Sequence, residues 1–262
     1  MNVPARALLL FVTLVTLTAS AAAISTATPK SSKTIVLITA ETTPFMSPNM
    51  KDDGAAIYAL RKILGKIGYK VEMRYAPWTR AKMVADKDDT IDGFFPYAAR
   101  DMDNFIYSRP LSETPWIIVQ RKDHPIHWTK LEDLTKYVAG NVTGIELRPG
   151  IKELVEQKKL QVESTTTDTY NLLKLATKRV DLVFMDPNVF RFHMATVPEL
   201  QAYKNILEIN PKPVHIDKYG LALKKNAKNE VFLKEFNKVA SIEENTKNIE
   251  YYLKHMSKEP QK

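Results

Sequence analysis

The chain contains no cysteine in its 262 residues. That excludes a disulfide scaffold, a thiol nucleophile and the lipidated cysteine that tethers many exported bacterial proteins. Glycine is scarce as well, with only 8 residues, so no glycine-rich phosphate cradle is present: there is no G-x-G-x-x-G, no P-loop and no G-x-S-x-G. The five histidines are His124, His127, His193, His215 and His255. None stands in an H-E-x-x-H or another metal spacing, and Pro125 argues against a helix that would bring His124 and His127 together. No metal and no cofactor is therefore expected. Past the first two dozen residues, no apolar run approaches the ~20 residues that a spanning helix requires.

The N-terminus is built differently. Arg6 is followed by an almost wholly apolar stretch, residues 7–17, and then by Ala19-Ser20-Ala21-Ala22-Ala23. A basic start, a short apolar run and small residues describe a secretory signal peptide over residues 1–23. Residues 24–33, rich in Ser and Thr, read as a disordered leader. The chain is then expected to be periplasmic and free of a lipid anchor. Lysine and arginine (38) outnumber aspartate and glutamate (30). The lysines, among them Lys224, Lys225, Lys228 and Lys238, are interspersed with Glu230, Glu235 and Glu243, which describes a solvated surface and not a nucleic-acid footprint.

Strand and helix patterns alternate along the remainder. Residues 34–39, 71–75 and 91–95 are β-branched or aromatic runs; residues 54–68 place apolar side chains at i, i+3 and i+4, and residues 79–85 read as a helix. The middle repeats the scheme, with strands at 116–120, 141–146, 161–164 and 182–185 and helices at 151–159 and 169–177. A strand at 219–223 and a helix at 229–242 follow. Such alternation predicts an α/β sheet with mainly parallel neighbours.

One stretch poses a sharper question. Leu182-Val183-Phe184-Met185 is a short buried strand that runs directly into Asp186 and Pro187. A carboxylate there is either a turn-forming residue or a binding group aimed into a cleft.

The order of several short motifs resembles the family 3 extracellular solute-binding proteins, the receptors of amino-acid ABC importers. Thr42-Thr43-Pro44-Phe45 is similar to the family's loop after the first strand. Pro77-Trp78-Thr79-Arg80, Asp92-Gly93, Tyr107-Ser108-Arg109-Pro110 and Lys178-Arg179-Val180-Asp181 up to Asp186 follow in the family's order. The resemblance covers roughly residues 34–242. It implies a two-lobed, type II venus-flytrap fold, with lobe one from residues 34–118 and 210–258 and lobe two from residues 119–209. It also implies a small-molecule ligand, an amino acid or related carboxylate, held between the lobes of a monomer that delivers it to an inner-membrane permease.

By the same resemblance, Arg100 binds the ligand carboxylate and Asp186 its ammonium. Phe45, Trp78, Phe95 and Tyr97 line the pocket, with Arg80 and Arg148 as further candidates that would suit an acidic ligand. The sequence departs from the family pattern in two places: Arg100 lies one residue further from Ser108, and Thr42 stands where an aromatic is expected. An enzyme on the same fold, of the cyclohexadienyl dehydratase type, or a stand-alone sensor are the alternatives. The enzyme would need a carboxylic acid kept protonated in the cleft.

Overall fold

Alternate residues of each strand face opposite cores, and this alternation organises the molecule. The computed structural model describes residue 1, residues 33–98 and residues 102–256. The expected signal peptide and leader up to residue 32, and Arg100, lie outside the described residues. In chain order the first elements are β1 (Lys33–Thr39), α1 (Ala55–Gly65), β2 (Tyr69–Tyr75), α2 (Trp78–Lys87), β3 (Gly93–Tyr97) and β4 (Phe105–Tyr107). β1 pairs in parallel with β2 and β3. Ile35 and Leu37 point to one side, where they meet α1, and Ile38 points to the other, where it meets α2. Phe95 and Phe94 divide in the same way. Gly93 is required by a close approach: a Cβ there would sit 2.2 Å from the Ala222 carbonyl oxygen.

The chain then passes along β5 (Ser112–Arg121) into a second set of elements: β6 (Val138–Val142), α3 (Ile151–Glu156), β7 (Gln161–Thr165), α4 (Asp168–Ala176), β8 (Leu182–Met185), α5 (Pro187–Thr196) and β9 (Leu207–Ile209). It returns along β10 (His215–Lys224) and closes with α6 (Ala227–Val239) and α7 (Ile242–His255). β6 pairs in parallel with β7 and β8, and β5 runs antiparallel to β8 and β9. All four residues of β8 are buried because β5 and β6 flank it and both faces are covered. Val183 and Met185 face a core under α4 and α5; Leu182 and Phe184 face one under α3.

β5 and β10 belong to both lobes. Their first halves pair with each other, Ser112 opposite Tyr219 through Trp116 opposite His215. Beyond that ribbon, β5 joins the second sheet through Ile117–Gln120, and β10 joins the first through Gly220–Leu223. Two crossing strands thus connect two α/β lobes.

The sequence reading departs from the structure in the second lobe and at the C-terminus. The strand expected at 141–146 runs instead over Val138–Val142, in register with Gln161–Thr165. It stops because the Ile145 N–H turns back to the Val142 carbonyl and Gly144 takes a φ of +85°. The freed residues 143–149 become a loop over the cleft. Two helices had not been anticipated, α5 and α7. Among the described residues no helix is long and apolar enough to cross a membrane.

Candidate functional site

The carboxyl ends of the parallel strands of both lobes point toward one another, and a cavity of about 660 Å³ lies between them. In open α/β sheets this is where loops diverge and leave a crevice. Thr42 follows β1, Trp78 follows β2, and Tyr97 ends β3; Gly144, Asp168 and Asp186 follow β6, β7 and β8. All six line the cavity, whose floor is the β5–β10 ribbon with Thr114, Trp116, Asp217 and Tyr219.

Asp186 sits at the most constrained point. Its Oδ1 accepts the N–H groups of Asn188 (2.7 Å) and Val189 (3.3 Å), so it caps α5 just before Pro187. Its Oδ2 accepts the Thr114 hydroxyl at 2.5 Å. Asp186 is therefore both the turn residue and a cavity-lining carboxylate tied to a crossing strand. Burial pushes its carboxyl above the ordinary range, against the pull of Thr114 and the two backbone N–H groups.

Asp168, at the start of α4, was not singled out from the sequence. It is partly buried, lines the same cavity, and accepts no hydrogen bond among the described residues. Burial raises its carboxyl above the ordinary range; the nearby Asp186 charge adds to this and His193 opposes it. Its position at the carboxyl end of a parallel strand was the available signal.

The four aromatic candidates all line the cavity. Trp78 and Phe94 lie 5.7 Å apart, and Tyr97 stands edge-on to Phe94 at 5.5 Å. Phe95 is buried in the α1 core, with Phe45 packed against the same core. Arg148 also lines the cavity, but its guanidinium is engaged. Its Nε donates to both oxygens of Asp217 (3.0 and 2.8 Å), Nη2 donates to the Tyr219 hydroxyl (2.9 Å), and the group stacks on Trp116 at 4.5 Å. Tyr219 is held neutral far up its range, chiefly by burial. Arg80 is exposed on α2 and does not line the cavity. The expectation that Arg80 and Arg148 would favour an acidic ligand therefore finds neither of them turned to that purpose.

The lobes touch across the cleft. Lys82 of α2 forms an ion pair with Glu146 of the 143–149 loop, and Lys82 also lies over the Tyr97 ring at 5.0 Å. Gly144 abuts the start of α2, where a Cβ would come within 2.8 Å of the Trp78 Cβ. Among the described residues no group of His, Asp and Glu is arranged to hold a metal ion.

No family model and no curated protein matches the chain. Solved structures do. The glutamate-bound GluR0 ligand-binding core from Nostoc punctiforme is 22% identical, with a TM-score of 0.64 over 84% of this chain and 98% of that one. An ancestral arginine-binding protein bound to arginine is 21% identical, TM-score 0.64, over 84% and 97%. An arginine third transport system periplasmic binding protein from Legionella pneumophila is 18% identical, TM-score 0.63, over 86% and 100%. The fold is thus the two-lobed, type II fold of periplasmic binding proteins.

Proposed function

We propose that the protein is an exported receptor that closes its two lobes around a small polar solute, an amino acid, and passes it to an ABC importer. The observation that carries this reading is the aromatic-walled cavity with Asp186 held at the end of β8 and joined by Thr114 to a crossing strand. A carboxylate fixed in a cleft offers a charge-assisted hydrogen bond to an ammonium. Because Asp186 belongs to lobe two and Trp78 and Tyr97 to lobe one, a ligand that touches both stabilises closure. Similar folds holding glutamate or arginine support an amino-acid ligand. In this reading residues 1–23 direct export, and Arg100 binds the ligand carboxylate, as the family resemblance implies.

The test is a thermal-shift screen of protein recovered by osmotic shock, against amino acids, dicarboxylates and aromatic acids. A ligand at ~100 times its dissociation constant adds about 2.7 kcal/mol, a shift of several degrees at this size. Stabilisation by amino acids that is weakened in Asp186→Asn supports the receptor. Stabilisation only by compounds without an ammonium removes the amino-acid assignment.

A second reading has one observation behind it. An enzyme on this fold needs a carboxylic acid kept protonated in the cleft, and burial raises the Asp168 carboxyl in that direction at a position lining the cavity where it accepts no hydrogen bond among the described residues. Turnover of a cyclohexadienyl acid, abolished in Asp168→Asn, would establish it; substrate recovered unchanged would exclude it.

A further inference from the structure

Charge and hydrogen-bond inventories of the cavity narrow the ligand further; this step rests on the receptor reading above. Six carboxylates line the cavity among the described residues, against one lysine and one arginine. Both bases are already matched, Lys82 by Glu146 and Arg148 by Asp217. Glu113 is paired outward with Lys218 at 2.9 Å, and Glu250 lies exposed on α7. Asp168 and Asp186 remain, and neither has an ion-pair partner among the described residues.

Hydrogen bonding points the same way. Asp168 accepts no hydrogen bond among the described residues. Asn245 on α7 lines the same cavity at 3% exposure, and its buried Oδ1 also accepts nothing. An unmatched buried acceptor such as the Asn245 Oδ1 is costly, and a ligand rich in N–H donors matches it as well as the open Asp168 carboxylate. The walls suit such a group, since aromatic faces attract cations and two in this cleft already seat them, Trp116 under Arg148 and Tyr97 under Lys82.

We infer that the cleft selects a solute carrying two cationic nitrogen groups, one for Asp186 and one for Asp168, and discriminates against anionic solutes. Basic amino acids and short aliphatic diamines share this chemistry. Asp168 is then the specificity-determining residue, and Asp186 the anchor common to any ammonium. The raised carboxyls agree with two unneutralised charges in one partly dry cleft.

The experiment is calorimetric titration of the purified protein, freed of bound solute by unfolding and refolding. The solutes are L-lysine, L-arginine, putrescine, L-norleucine, L-glutamine and L-glutamate. The expected result is that the two-cation solutes bind at least about tenfold more tightly than norleucine or glutamine, the return for one added charged hydrogen bond. Asp168→Asn should erase that margin, bringing lysine and putrescine down to the affinity that the same variant shows for norleucine. Lysine against putrescine tells whether a carboxylate is also required. Equal or tighter binding of glutamate or the neutral amino acids overturns the two-cation inference and leaves the receptor standing. Absence of binding by every solute overturns both. The wild-type ranking decides the matter even where Asp168→Asn folds poorly.

Discussion

The charge of Asp186 reaches Asp168, and burial raises the carboxyls of both. The consequence for stability has a definite sign. A carboxyl whose folded value lies above its ordinary value of about 4 keeps its proton longer in the native state. The folded protein then binds more protons through that window, so stability is lost as pH rises through it. In ligand-free protein the melting temperature of Asp168→Asn relative to wild type should therefore increase from about pH 4 upward. Differential scanning calorimetry across pH 4–8 checks this. A difference that does not vary with pH would show that the Asp168 carboxyl is unstrained. Other groups work in the opposite sense, such as Asp133, held down to about 2 by the Thr129 and Lys130 N–H groups. The difference between the two proteins cancels them.

At the scale of elements, Asp186 is also the cap of α5, and its two duties separate in mutants. Asp186→Ala removes the acceptor for Asn188 and Val189 and should cost about 1 kcal/mol of stability, together with ligand affinity. Asp186→Asn keeps Oδ1 for the cap, loses the charge and places an amide N–H where Oδ2 accepted the Thr114 hydroxyl, so that hydroxyl must turn to accept instead. Its denaturation midpoint should stay near wild type while ammonium binding weakens by about tenfold or more. Urea denaturation alongside titration calorimetry checks both; equal midpoints for the two mutants would mean that the cap contributes nothing.

The same level shows what the sequence made legible. Strands with a run of apolar residues were readable: β1, β8 and the core of β5 fell where Ile35–Ile38, Leu182–Met185 and Trp116–Gln120 placed them. α1 was readable because its buried residues recur on one face. β6 was displaced because Val142-Thr143-Gly144-Ile145 has β-branched content, yet its end is set by pairing with β7, a contact distant in sequence. α7 escaped notice although Ile249, Tyr252, Leu253 and Met256 recur on one face, because its first turns bury Asn245 and are otherwise largely polar. In the site, aromatic residues after strands were legible by position. The pairing of Arg148 with Asp217 was not, because it joins residues brought together only by the return of the chain along β10. Asp168 was overlooked for a related reason: nothing local distinguishes it from a helix-opening aspartate.

For the whole molecule, the closed arrangement depends on how nearly the 143–149 loop can approach α2. Gly144 is the limiting point, with a left-handed backbone and no room for a Cβ beside Trp78. Gly144→Ala should fold, hold its lobes further apart and bind ligand about tenfold more weakly, given a strain of 1–3 kcal/mol in the closed state. Small-angle scattering with saturating ligand should give a larger radius of gyration than wild type. An unchanged radius and affinity would show that closure does not pass through this contact.

The distribution of tryptophan has a practical corollary. Of three in the chain, Trp78 and Trp116 line the cavity, one at the start of α2 and one on the crossing ribbon beneath Arg148. Trp128 stands apart, under Lys212. The molecule thus carries its own optical reporter of occupancy: the half-buried Trp78 indole answers to solvent leaving the cleft, while Trp116, already dry beneath Arg148, and Trp128 supply a steady background.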